Sequence, residues 1–361
     1  MEKITEINDI RTINDFKGIT FSNFKKTEVI KQLLINLTES KIEQSNYWCC
    51  ELIASGHFLS LWDLIIQFYA KYIQNSNPKL CIYLDIRLTY FKEMMNNVEK
   101  LQLRNNINIR KLFSEIICII CLSKKNHTFQ EIKINPEHFV LINITDKLKA
   151  PNINYIQDFF KEKDPKELFI QFNEFAYNIE IKNCIESCYW FEYIINYEIN
   201  MRKNKKKCIC ENRFTNYINL KNQNDIIWIF WEIIYKYSQK NKLFHKIVES
   251  SFNLFSVNYV SSNIKHKRKF LIYFVITLIT SNIYIDENII KNKEQITFVL
   301  SNIDKLYIQI KNNEVKHNDE HILSKNKISK NMEKTIFNLN KMNSLAETYI
   351  PRDGKNESIN T

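Results

Sequence analysis

Two cysteines four residues apart, Cys184 and Cys188, precede a second pair, Cys208 and Cys210, with a single residue between them. Thiolates bind zinc tetrahedrally, so a helix and the loop after it could supply four sulfurs to one ion. Zinc knuckles favour two intervening residues, because that spacing lets both sulfurs reach the metal, and one intervening residue fits less well. The expectation is therefore no metal and no cofactor, with this four-cysteine set as the alternative. Cys118 and Cys121 do have the CxxC spacing. They sit inside IICIICL, where positions three apart share a helix face, so both thiols are expected in the core as small hydrophobes.

The stretch NYWCCELIASGH (46–57) gathers two thiols, a glutamate and a histidine. Cys49 or Cys50 could pair with His57 as thiolate and imidazole if the chain brought them together. Cys50 and His57 are two turns apart, however, and Gly56 suits the left-handed position that ends a helix before His57. Acidic groups that interrupt apolar helices need partners, and paired acids can do general acid–base work. An enzyme with a site between two lobes, built from Glu51, His57, Asp63 and Arg87, is thus the alternative to a chain without catalysis. Ion pairs between helices account for the same residues.

Nucleotide-binding loops need glycine where backbone approaches phosphate. With three glycines in 361 residues, Gly18, Gly56 and Gly354, neither a P-loop nor a dinucleotide fingerprint can be assembled. Positive charge is the more usable signal. MRKNKKKCICENR (201–213) carries net +5, IKHKRK (264–269) carries +4, and residues 102–125 carry +4, against +11 for the whole chain. Clustered cations neutralise phosphates and release counterions. Arg202, Lys203, Lys205, Lys206, Lys207, Arg213, Lys265, Lys267, Arg268 and Lys269 are the residues expected to contact DNA or RNA. Cations at helix ends that complement the C-terminal dipole are the competing explanation.

Scarce glycine and long apolar runs predict an all-α chain of two packed helical lobes. Residues 1–26 read as an N-terminal arm, 27–125 as the first lobe, 126–151 as a connector holding a short strand at HFVLINI, and 152–310 as the second lobe. Residues 311–361 read as a polar, largely disordered tail with one short helix near 330–345. Asn77-Pro78, Asn135-Pro136 and Asp164-Pro165 look like capped helix starts, the last with Glu167 completing a capping box. Trp62, Ile65, Ile66, Tyr69 and Ile73 share a helix face. The apolar stretch 270–285 is shorter than the roughly 20 residues of a spanning helix, so membrane insertion is not expected. The polar start and nine cysteines fit a reducing compartment rather than secretion.

The blocks share ordered features: Tyr47-Trp48 with Glu51 and Tyr189-Trp190 with Glu192; WDLII (62–66) and WEII (231–234); RKLFSEIICIICLS (110–123) and RKFLIYFVITLITS (268–281). The order agrees and the gaps do not, as expected of an old tandem duplication or of chance between amphipathic helices.

YWCCELIASGHFLSLWDLIIQFYAKYIQNSNPKLCIYLDIR (47–87) resembles a set of uncharacterised proteins of large nucleocytoplasmic DNA viruses, mimivirus- and phycodnavirus-like. IRKLFSEIICIIC (109–121), DPKELFIQFNEFAYNI (164–179), ESCYWFEYIINYE (186–198) and KKCICE (206–211) resemble the same family. That family has no established activity, so no residue inherits a role from it. The resemblance implies a protein of the host cytoplasm, in the virus factory, or of the virion. Its expected partners are viral or host proteins, with DNA or RNA a further one. The expected function is a non-enzymatic helical interaction module of a replication, transcription or virion complex; a purely structural virion protein is a further alternative.

Overall fold

The computed structural model describes residues 4–96, 98–126, 129, 132–213, 218–260, 264–281, 283, 285, 288–315, 332–336 and 338–339. Among these residues all regular structure is helical, and no helix is long and apolar enough to cross a membrane. The chain divides into two compact units. The first takes residues 1–65, 87–123 and 290–361, and the second takes 66–86 and 124–289.

The first unit is built on α1 (Lys26–Thr38), α2 (Ile42–Ala54) and α5 (Ile107–Leu122), with α12 (Lys293–Lys311) laid against α2 and α5. The apolar stripe of α12, Ile296, Val299, Ile303, Leu306, Tyr307 and Ile310, is fully covered. Here the structure departs from a second lobe running 152–310. An amphipathic stripe requires a partner without specifying which one. Phe58 and Trp62 of α3 (Phe58–Phe68) join Phe91 of α4 (Leu80–Met95) and Phe113 of α5 in one aromatic cluster, with ring centroids 5.4–6.1 Å apart.

Residues 4–25 are not a free arm. Ile7, Phe16, Phe21 and Phe24 are buried, and Asn105 exchanges two 2.9 Å hydrogen bonds with the backbone of Ile7. Arg110 and Arg104 donate to the carbonyls of Thr5 and Asp9, both at 3.1 Å. The segment after α12 is tied to the same region, because the Val315 amide donates to Asp9 at 2.9 Å and Asn313 to the Ser22 hydroxyl at 2.9 Å. Four apolar residues spread over 22 positions have no helical period, so their burial left no mark in the periodicity.

The second unit pairs α6 (Phe169–Glu180) with α7 (Cys184–Lys203) and α8 (Ile227–Ser238) with α9 (Lys242–Ser256). The short α10 (Ile264–Lys267) leads into α11 (Lys269–Thr280), which touches α6, α7, α8 and α9. That central placement explains why α11 is apolar nearly all round. The five residues Tyr69–Ile73 form a π-turn that also packs on α11. HFVLINI is not a strand: Pro136–Phe139 and Leu141–Lys147 are tight 3-10 turns, the first capped by the Asn135 side chain, which accepts the Glu137 amide at 3.1 Å.

With little glycine, helices close by an uncommon choice of residue. α1, α2, α6 and α7 each end in a Schellman motif whose left-handed position holds Ser40 (φ 61°), Gly56 (φ 71°), Lys182 (φ 60°) and Lys205 (φ 57°). At α2 the paired bonds run from Gly56 to Ile53 at 3.0 Å and from His57 to Leu52 at 2.9 Å. At α7 they run from Lys205 to Arg202 at 3.0 Å and from Lys206 to Met201 at 2.9 Å. A side chain there costs about 1–2 kcal/mol of backbone strain that glycine avoids.

Candidate nucleic-acid interface

The Schellman motif after α7 throws the chain outward, and Lys203, Lys205, Lys206 and Lys207 are all exposed there. Arg202, half exposed at its side chain, bonds back to Glu198 one turn earlier at 2.9 Å. Lys267 is exposed on the separate turn before α11. The other cations of the sequence pattern are inside. Arg213 lies with no side-chain exposure against Asp164, which accepts two of its N–H groups at 2.8 and 2.5 Å, and against Glu232 at 2.6 Å. Lys265 donates to Glu198 at 2.5 Å and to Asp225 at 2.9 Å. Arg268 donates to the carbonyls of Leu254, Phe255 and Val257, closing the C-terminal end of α9. Lys269 is largely covered and bonds Glu192 at 3.0 Å. Basic composition therefore overstated the accessible patch: Arg213, Lys265 and Arg268 hold the fold.

These buried cations explain how the acidic groups of the second unit are accommodated. Asp164 was expected to cap a helix, but its carboxylate turns to Arg213 and to the Lys161 and Glu211 amides, and α6 begins later, after a 3-10 turn. Burial raises the Asp164 pKa, and the Arg213 hydrogen bond with those amides more than offsets it, holding the carboxyl below its ordinary value. A cavity of about 140 Å³ sits beside the basic loop, walled by Arg202, Lys206, Lys207 and Ile209 over Glu198, Cys208, Asn224 and Asp225. Lys265, buried against both carboxylates, offsets one of their two charges, and Arg202 pairs with Glu198 from the wall. The pairings of Asp164 and Glu232 with Arg213, and of Glu198 and Asp225 with Lys265, were invisible in the sequence, because the chain order does not show which cation an acid meets.

The four-cysteine set does not assemble. Cys184 and Cys188 open the 20-residue α7, whereas Cys208 and Cys210 follow its other end. Cys208 folds back beside Glu198, and with a helical rise of about 1.5 Å per residue Cys188 stands roughly 15 Å from that point along α7, too far for the pairs to share an ion. Among the described residues no group of three or more His, Cys, Asp or Glu side chains is placed to hold a metal. Burial pushes Cys208 and Cys210 up to about 12, and Cys210 donates to the Asp225 carbonyl at 3.2 Å. Cys118 and Cys121 lie in the core as expected, beside Asn46 and Ser45 at 3.5 Å each.

Glu51, His57, Asp63 and Arg87 all belong to the first unit. Glu51 is fully buried and accepts from the Thr20 hydroxyl at 2.8 Å, the Ser22 amide at 2.6 Å and the Ser22 hydroxyl at 3.0 Å. Burial raises its pKa, against the opposing pull of those donors. His57 Nε2 lies 2.8 Å from the Ile19 carbonyl, and the Ser55 hydroxyl accepts the Phe21 amide at 2.8 Å. Glu51, Ser55 and His57 thus bind residues 19–22 to the end of α2. Asp63 is half-buried with Lys26 as a charged neighbour, and Arg87 holds Glu115 through two bonds of 3.0 and 2.9 Å. Cys49 and Cys50 are buried, and burial pushes Cys50 up to about 12. Within 46–57, Glu51, Ser55 and His57 form a clasp on the N-terminal segment, while Asn46 accepts the Ser114 hydroxyl of α5 at 2.6 Å.

Set against protein-family models, curated proteins and solved structures, the chain matches none of them.

Proposed function

We propose that this protein is a non-enzymatic helical interaction module that contacts a polyanion, DNA or RNA, through the loop following α7. The observation that carries the reading is local: four exposed lysines, Lys203, Lys205, Lys206 and Lys207, fall within five positions at one helix end, and the neighbouring acids are already paired, Asp225 with buried Lys265 and Glu198 with both Lys265 and Arg202. Residues needed only to complement the helix dipole would stop within the last turn. The lysines continue past it. The viral resemblance of 47–87 and the other segments supports a place in a replication, transcription or virion complex of the host cytoplasm or the particle.

The paired features of the two units support an ancestral duplication within the same proposal. Tyr47 and Trp48 meet edge-to-face at 5.1 Å and 85°, and Tyr189 and Trp190 at 5.4 Å and 81°. Arg110 near the start of α5 and Arg268 just before α11 are both buried and both donate to backbone carbonyls.

The test is a salt titration of binding to short single- and double-stranded DNA and RNA. The triple variant Lys205→Glu, Lys206→Glu, Lys207→Glu should reduce the slope of log K against log salt by about 3, roughly one per lost phosphate contact. No binding at low salt, or an unchanged slope in the variant, refutes the proposal.

A further inference from the structure

We propose that Cys184 and Cys188 form a peroxide-responsive dithiol, with Cys184 as the attacking thiol and Cys188 as the resolving one. All nine cysteines are reduced, and Cys184 alone among them is not buried. It occupies the first position of α7, whose preceding Asn183 side chain accepts the Glu186 amide at 3.2 Å. An anion forming there faces the positive end of the helix dipole. Cys188 stands one turn further on the same face of α7.

The rest of the surround comes from the end of α11. The Cys184 sulfur is 3.5 Å from the Thr277 hydroxyl. Thr277 and Thr280 direct their own protons to the carbonyls of Tyr273 and Ile276, at 2.8 and 2.7 Å. The Cys188 hydrogen bond, which outweighs the opposing cost of burial, lowers Cys184 well below an ordinary thiol, while the same bond and burial raise Cys188. The charged neighbour of Cys188 is Glu192, itself held by Lys269 at 3.0 Å and Tyr273 at 2.8 Å. Burial raises Cys49, Cys50, Cys81, Cys118, Cys208 and Cys210 instead.

The chemistry closes with a hydroperoxide as oxidant. The Cys184 thiolate attacks the terminal peroxide oxygen, the O–O bond breaks, and the departing alkoxide takes a proton to leave as alcohol, or as water from hydrogen peroxide. Cys184 becomes a sulfenic acid. The Cys188 sulfur then attacks the Cys184 sulfur, and the displaced hydroxide leaves as water with the Cys188 proton. Two thiols are oxidised to one disulfide and one peroxide is reduced. Helix positions four apart have Cβ atoms about 5–6 Å apart, whereas a disulfide needs about 3.5–4.5 Å. Oxidation must therefore loosen the first turn of α7.

Alkylation of the native protein with iodoacetamide, mapped by peptide mass, should label Cys184 first. A lowered pKa enlarges the thiolate fraction but weakens the nucleophile, so the neutral-pH rate should stay within about tenfold of a free thiol. The diagnostic is the pH profile, whose plateau should extend at least about one unit lower than that of a small-molecule thiol. With limiting hydrogen peroxide the wild type should yield the Cys184–Cys188 disulfide, with faster amide exchange over 184–188. Cys188→Ser should stop at a sulfenic acid trapped by dimedone on Cys184. First labelling at another cysteine, a Cys184 rate that falls tenfold per pH unit below neutrality, or wild-type oxidation without the disulfide overturns the proposal, and all three are read without any variant.

Discussion

Replacing Arg213 by methionine separates the buried charge from the surface charge. The substitution keeps an apolar stem of similar length and removes the two bonds to Asp164, at 2.8 and 2.5 Å, and the bond to Glu232 at 2.6 Å. Asp164 would remain buried with only the Lys161 and Glu211 amides, at 2.8 and 2.9 Å, to hold its charge. Removing one partner of a buried pair costs about 3–5 kcal/mol. Glu232 adds less than Asp164, because its side chain is a quarter exposed and solvent screens it. At about 2–4 °C per kcal/mol for a body of this size, the melting temperature should fall by about 6–20 °C. Urea unfolding followed by the fluorescence of Trp190, Trp228 and Trp231, all in the second unit, reads the change. Pairing the substitution with Asp164→Asn removes the stranded charge and should recover about 2 kcal/mol, giving a measurable coupling. The pH dependence has a definite sign. The folded-state pKa of Asp164 is depressed, so the wild type has this stabilisation above the ordinary aspartate range and loses it as pH falls through the lowered value; Arg213→Met should flatten that acid limb. A loss below about 1 kcal/mol, or full stability with weakened polyanion binding, would refute the assignment of Arg213 to the fold.

Glu51→Ala removes three acceptor contacts with Thr20 and Ser22 and should cost about 2–4 kcal/mol; limited proteolysis should then cut within residues 4–25, and an uncut segment would argue against the clasp. The raised pKa of Glu51 makes its contribution fully present below the ordinary glutamate range and lost as pH rises through the raised value. The uncharged Glu51→Gln variant should therefore gain on the wild type as pH rises above the ordinary glutamate range, and a gap moving the other way would contradict the burial argument. Lys182→Gly should stabilise the protein by about 1 kcal/mol and Gly56→Ala should destabilise it by about as much, since the added Cβ at Gly56 meets only Leu101 at 3.5 Å and the cost is backbone strain. Equal and opposite shifts in urea midpoint check both, and a stable Gly56→Ala variant would remove the left-handed requirement.

Particular residues mark how much could be read from the chain. Gly56 lies just past an apolar helix, so a left-handed cap was legible, because that conformation depends on local sterics alone. The burial of Cys118, Cys121 and α11 was legible as well, because each lies in a stretch that is apolar on nearly every position. Arg213, Lys265 and Arg268 were read as surface cations because composition counts charge without locating its partner. Asp164 pairs with a residue 49 positions away and Lys265 with one 67 away, and no local pattern encodes such a distance. The apolar residues of 4–25 lack a helical period, and so their burial was hidden.

The sequence by itself determined the all-helical class, the core faces and several helix ends, since these follow from hydrogen bonding and side-chain period within a few residues. Tertiary structure alone decided which helix each stripe meets, placing α12 against α2 and α5. It also decided which charges are consumed inside, leaving the lysines after α7 exposed and the thiol of Cys184 half-buried. The physical reason is that burial and pairing are properties of neighbours in space, and a charged or reactive side chain carries the same letter whether its partner is solvent or a carboxylate.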